Sequence, residues 1–176
     1  MDLKKYTNEI IIPTLKRFDL YSENAVKLLQ MTVVHESGGF KWIRQTGYSM
    51  TSSGGAFGYP QIEHSTHDSL WDNQIRYRKE LCNKLIKAYD PQYHLTGEDT
   101  AKRYLDRKQY ESLQPSLLTN QRYALIIARI RYLPAPALPD KDDLLGMAKY
   151  WLEYYNRGGK GTVEKFLKDW ELYGTD

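Results

Sequence analysis

The sequence predicts a mainly α-helical chain, and three observations carry that reading. Apolar residues recur at steps of three and four over most of its length, residues suited to N-caps precede several of those stretches, and the helical period fails in one long segment only. The 176 residues fit one domain spanning 1–176, with residues 1–22 as an N-terminal helical extension packed on it. Ser22 is placed to cap a helix from Glu23 to about Ser37, in which Leu29, Val33 and Glu36 share a face and Gly38-Gly39 supply the stop. From Phe40 to Ile62 the glycines, serines and Pro60 cannot sustain a helix, so an irregular excursion with a short hairpin is expected.

Beyond the excursion, Ser65 is read as the cap of a long helix to about Tyr89. Its stripe of Trp71, Ile75, Arg78, Cys82, Leu85 and Tyr89 ends at Asp90-Pro91. A shorter helix fits Asp99 to Gln109. Another fits Ser116 to Leu133, where Leu125, Ile126, Ile127 and Ile130 leave almost no polar side and predict a central, buried position. Pro134, Pro136 and Pro139 make a stiff crossing. A helix from about Lys141 to Tyr155, a glycine-rich loop from Asn156 to Gly161, and a last helix capped by Thr162 complete the chain.

Composition removes several classes of function. With 15 Tyr, 4 Trp and 4 Phe the chain carries too much apolar surface to remain a solvated coil. The lone Cys82 excludes an internal disulfide framework and a multi-cysteine zinc site, and its place on the Trp71 stripe reads as core. No apolar run approaches the ~20 residues that span a bilayer, so no membrane span is expected. Ile10-Ile11-Ile12 is cut at Pro13 after a polar start, so no signal peptide is expected either. A net charge of +3, with Lys and Arg scattered, does not support nucleic-acid binding.

Three segments carry candidate chemistry. Glu36 sits on the apolar face of its helix, in the last turn. Partial burial and the negative end of the helix dipole both disfavour its ionisation, as a general acid working near neutral pH requires. The segment Gly55-Ala56-Phe57-Gly58-Tyr59-Pro60-Gln61-Ile62 combines glycines that admit close backbone approach with Gln61, which offers a donor and an acceptor. Tyr154-Tyr155-Asn156-Arg157-Gly158-Gly159 ends a helix, where a tyrosine hydroxyl could reach a protonated carboxyl and Asn156 could hold the turn. Taken singly, each also reads as ordinary structure: a solvent-facing terminal Glu, a plain turn, a core aromatic with its cap. His64 and His67, at i and i+3 beside Glu63 and Asp68, have the spacing of a metal pair, but Ser65 to Asp68 reads better as a helix start, so no metal is expected.

In order, Glu36-Ser37, Gly58-Tyr59-Pro60-Gln61 and Tyr154-Tyr155-Asn156 resemble the motif series of lytic transglycosylases of lysozyme-like fold. The wider strings His35-Glu36-Ser37-Gly38-Gly39-Phe40 and Tyr150-Trp151-Leu152-Glu153-Tyr154-Tyr155-Asn156 are similar to lysozyme-like proteins of tailed bacteriophages. Pro60 and Tyr154 stand where that family usually has Met and Ala. The resemblance implies a lysozyme-like helical domain that cleaves the MurNAc-GlcNAc strand of peptidoglycan. It implies Glu36 as the acid, Tyr155 steadying it, Gln61 holding an acetamido or backbone group, Ser37, Gly58 and Asn156 in support, and no cofactor. Glu63 and Asp68 are the candidates for a second acid, which a hydrolase would use. Trp151 is expected to be core and stays outside the candidate site. The implied setting is the phage virion, with synthesis in the host cytoplasm, action in the periplasm or cell wall, and other virion proteins as further partners; an endolysin fits equally. The alternative is a structural virion component, a tail or ejection protein, whose lysozyme-like fold is not catalytic.

Overall fold

The computed structural model describes residues 1–50, 54–89 and 110–174. The helix expected over 99–109 and the Asp90-Pro91 stop lie outside them. The described chain is mainly helical, with one two-stranded antiparallel hairpin.

Asp2 caps α1 (Leu3–Tyr6) by accepting the Lys5 N–H, and the chain continues through a π turn (Thr7–Ile11) into α2 (Ile12–Arg17). The π turn falls where α geometry would ask Pro13 for an N–H it lacks. The Glu9 carbonyl, which residue 13 would otherwise bond, accepts Arg122 Nη2 at 3.0 Å. Tyr6, Ile11 and Leu15 are fully buried, so the N-terminal segment supplies core rather than decoration.

Helix α3 (Glu23–Ser37) begins at Ser22, whose hydroxyl accepts the Ala25 N–H, and ends as its glycines require. The Gly38 N–H bonds the His35 carbonyl and the Gly39 N–H bonds the Val34 carbonyl, the paired closure of a Schellman motif. Gly38, Gly39 and Phe40 all adopt positive φ, at 59°, 70° and 65°. The strain at Phe40 is offset by packing: its ring lies 5.3 Å from Tyr6 and 5.0 Å from Tyr59, and Ser37 Oγ accepts its N–H.

The excursion folds around Arg44, which is buried. Its guanidinium donates to the carbonyls of Ala56, Gly54 and Ser49 and lies 3.8 Å over the Phe57 ring. His64 stacks on the other face of Phe57 at 4.2 Å. Strands β1 (Ala56–Phe57) and β2 (Ile62–Glu63) pair with Phe57 opposite Ile62, which is the short hairpin expected there.

The long helix expected from Ser65 to Tyr89 is instead α4 (His64–Asn73), a 3₁₀ turn (Ile75–Tyr77) and α5 (Lys79–Tyr89). The Asn73 side chain turns back onto the Ser69 carbonyl, and Gln74 leaves helical geometry at φ −136°. The apolar period survives the break because Ile75, Cys82 and Leu85 still face the core. The helix expected from Ser116 to Leu133 is likewise two: α6 (Ser116–Thr119) and α7 (Gln121–Arg131). Asn120, extended, caps the second by accepting the N–H groups of Arg122 and Tyr123. As expected, α7 is central: Tyr123 through Ala128 and Ile130 are buried, and it packs against the N-terminal segment, α3, α4 and β2.

Helix α8 (Leu144–Tyr154) starts three residues later than Lys141, because Asp143 is the cap that accepts the Gly146 N–H. Helix α9 (Val163–Tyr173), capped by Thr162, packs on α3 and α8. One apolar cluster runs from Leu3 to Trp170 through these elements. Each large aliphatic or aromatic side chain in it contributes about 1.5–3 kcal/mol by leaving water.

A Cβ at Gly39 would stand 2.7 Å from the Tyr173 ring, at a φ of 70°. Gly39→Ala is therefore expected to lose about 1–3 kcal/mol. Gly47→Ala, with positive φ but open space around it, should lose less. Thermal denaturation of the two variants checks the order.

Candidate active site

Glu36 occupies the last turn of α3, held there by the Schellman closure and by Ser37. The Ser37 hydroxyl donates to the Val33 carbonyl at 2.7 Å and accepts from Phe40 N–H, so this buried serine fixes the helix end and does not face the cleft. The Glu36 side chain is half-buried, and Trp151 Nε1–H donates to its Oε1 at 3.0 Å. Burial pushes its pKa up to about 7, from an ordinary value of 4.5. The Trp151 bond and the Arg131 charge both favour the carboxylate but are outweighed.

Trp151 is itself clamped. The His35 ring meets it edge-on at 4.5 Å, and Phe166 stacks against it at 4.5 Å and 20°. His35 Nδ1 lies 2.7 Å from Asp169 Oδ2, an oxygen that Lys165 Nζ also reaches at 2.7 Å. Burial lowers the His35 pKa despite Asp169, so near neutral pH the ring is uncharged. An ionised carboxylate only accepts, which places the ring proton on Nδ1.

The facing wall is the glutamine turn. Gly58, at φ 70°, lies so close to α6 and α7 that a Cβ there would stand 2.6 Å from the Leu117 carbonyl and 2.8 Å from Ala124 Cβ. Gly58 thus seats the turn against the helices from behind. Gln61 N–H returns to the Gly58 carbonyl at 3.0 Å, and Gln61 Nε2 donates to the same oxygen at 2.7 Å and to the Trp42 carbonyl at 3.4 Å. With its amide nitrogen engaged, Gln61 offers a ligand its carbonyl oxygen.

Tyr155 departs from the expected role. Its hydroxyl donates to the Pro60 carbonyl at 2.7 Å, not to Glu36. The tyrosine therefore locks the glutamine turn to the end of α8, and the hydrogen bond to the acid comes from Trp151, a residue expected to be core alone. Trp151 is buried as expected and reaches Glu36 at the same time, because only its Nε1 edge comes to the carboxyl.

Between these walls lies a cleft of about 600 Å³. It brings together Glu36, Gln61, Glu63, Tyr155 and Asn156 from the sequence reading, while Ser37 and Gly58 stand behind its surface. Neither Tyr59 nor Tyr154 lines it. Asp68, the other candidate second acid, is engaged elsewhere: it accepts Gln114 Nε2 at 2.9 and 3.0 Å and pairs with His67 Nδ1 at 2.9 Å. His67 also meets the Tyr123 hydroxyl at 2.8 Å, whereas His64 lies flat on Phe57, so the two histidines serve different neighbours. Among the described residues no group of three or more His, Cys, Asp or Glu is arranged to hold a metal ion. Cys82 is buried, and burial raises its thiol pKa to about 11.

Trp42 and Arg131 are among the lining residues that the sequence reading did not single out. Trp42, 50% exposed, lies against Gly38, where a Cβ would stand 3.3 Å from its Cδ1. Arg131 closes α7 with its guanidinium 4.5 Å over the Tyr155 ring. An exposed tryptophan next to a double-glycine stop was a usable signal for the first. For the second the helical period indicated only that α7 is buried.

No protein-family model matches the chain, and neither a curated protein nor a solved structure matches it. Among the described residues no helix is long and apolar enough to cross a membrane.

Because the folded-state pKa of Glu36 is raised, its contribution to stability is full below its ordinary value and is lost as pH rises through about 7. Glu36→Gln has no carboxyl to ionise, so its melting temperature should gain on wild type between pH 5 and pH 8, by about 2–4 °C for each kcal/mol of difference. Trp151→Phe removes the only donor to the Glu36 carboxyl found among the described residues. NMR titration of that carboxyl should give a value above the wild-type one.

Proposed function

We propose that the chain is a lytic transglycosylase of lysozyme-like fold that cleaves the MurNAc-GlcNAc strand of peptidoglycan, with Glu36 as acid and then base. The observation that carries this reading is a half-buried carboxyl with a pKa of about 7, opening on a cleft that also holds Gln61, Tyr155 and Asn156. These are the residues that the resemblance to the family brings to one site.

The chemistry follows from that carboxyl. Protonated Glu36 gives its proton to the glycosidic oxygen as the bond to the anomeric carbon breaks. The substrate's own acetamido oxygen bonds the anomeric carbon and takes up the developing positive charge. Glu36, now a carboxylate steadied by Trp151 Nε1–H, removes the proton of the muramyl 6-hydroxyl. That oxygen attacks the anomeric carbon and expels the acetamido group, leaving a 1,6-anhydro end and Glu36 protonated again. The Gln61 carbonyl is available to accept the acetamido N–H, and the exposed Trp42 indole offers a face to a sugar ring. One carboxyl is enough, which agrees with Asp68 being engaged outside the cleft. Glu63 lines the cleft and is the candidate base if the products are those of a hydrolase.

An open cleft, with neither Tyr59 nor Tyr154 in it, favours the catalytic reading over a purely structural virion component. The setting proposed with it is a phage particle, the protein acting on the host cell wall beside other virion proteins.

Digestion of purified sacculi followed by mass spectrometry of the muropeptides tests the proposal. Anhydromuramyl ends are expected, and Glu36→Gln should lower their formation by about 10²–10⁴-fold. The rate should fall as pH rises above about 7, where the acid loses its proton. Reducing ends would mark a hydrolase, and wild type and variant equally inert would overturn the catalytic reading. Trp42→Ala should weaken glycan binding while leaving the melting temperature near that of wild type, since its ring is exposed.

A further inference from the structure

A cationic donor in the cleft lacks an acceptor among the described residues. Arg131 lines it with its guanidinium over the Tyr155 ring, and it forms no hydrogen bond or ion pair with any described residue. Asn156 lines it too, but its Nδ2 is buried against Gly159 and Gly161, away from the cleft surface. The Arg131 guanidinium rests 4.5 Å over the Tyr155 ring, and its N–H fork suits a planar two-oxygen acceptor.

The other charges around the cleft permit an anion there. Arg157 adds a second cation at the rim, and exposed Glu63 is the opposing carboxylate, open to screening by solvent and salt. Glu36, whose pKa is about 7, is mostly uncharged below neutral pH and there repels an anion weakly.

We propose that Arg131 forms an anion subsite of the Glu36 cleft, which takes the carboxylate of an acid-bearing sugar in the glycan strand. The sugar part of this assignment rests on the glycan-cleaving reading above. The carboxylate has two possible sources, the lactyl ether of the sugar or the peptide attached to it. Arg131 is then the residue that sets which sugar lies beside the acid.

Monosaccharides test this in the wild-type protein, since they have no glycosidic bond to break. Dissociation constants would be measured by NMR titration for neutral N-acetylglucosamine, for N-acetylmuramic acid and for N-acetylmuramoyl-L-alanyl-D-isoglutamine. At least one acid-bearing sugar is expected to bind about 10-fold more tightly than the neutral one, as a charge-assisted pair implies. The preference should shrink as salt is raised, and it should vanish in Arg131→Gln. Tighter binding of N-acetylmuramic acid alone assigns the lactyl carboxylate; tighter binding of the peptide-bearing sugar alone assigns the peptide carboxylate. Equal affinity for all three sugars overturns the subsite, as does a preference that survives in Arg131→Gln. The salt series on wild type stands even if Arg131→Gln fails to fold, and a preference indifferent to salt also overturns the subsite. Sacculus digestion without any sugar preference would remove the subsite alone. A sugar preference without digestion would remove the catalytic reading alone.

Discussion

The hydrogen bond from Trp151 Nε1 to Glu36 Oε1 joins the end of α3 to α8, two elements 115 positions apart in the chain. A carboxyl at a helix terminus would ordinarily turn to water and ionise. Here it is drawn inward to meet an indole whose own position leaves no freedom, because His35 and Phe166 hold the ring on its edge and its face. The His35–Asp169–Lys165 chain carries that restraint to α9, so this helix steadies the acid without touching it. Burial raises the pKa of the acid, and the single N–H limits the rise. The result is a group that both keeps and gives up its proton near pH 7.

Much of this was legible in the residues. The Ser22 cap, the Gly38-Gly39 stop, the hairpin in the excursion, the buried α7 and the Thr162 cap follow from rules that act within a few residues. The helix breaks at Gln74 and Asn120 were missed for one shared reason. Apolar spacing continues across both, and in each case an asparagine side chain bonds backbone and interrupts the ladder that the spacing suggests. Periodicity reports which side of a helix faces the core. It does not report whether the helix is continuous.

The candidate site was legible to the same degree. Glu36, Gln61, Tyr155 and Asn156 do meet around one cleft, but the bonds within it were not deducible from a linear motif. Tyr155 and Trp151 are four residues apart on one face, so either might have reached the acid. The choice was made by the depth at which α8 packs on α3, a tertiary quantity. Tyr155 is carried past Glu36 to the Pro60 carbonyl, and the indole is left at the right height. Arg131 was hidden for a similar reason, at the end of a helix whose apolar character dominates its reading.

The packing of the excursion around Arg44 bears on how such a protein can diversify. The guanidinium ties Ser49, Gly54 and Ala56 to one hub, and Phe57 lies between it and His64, so the loop is braced from within. Exposed positions on its near side, Gln45 and Thr46, line the cleft. Of the two, Gln45 also accepts the Ala56 N–H, which leaves Thr46 the freer to vary. Replacement there can reshape what the cleft admits while the hub and the helices stay as they are, a division between tuning and scaffolding.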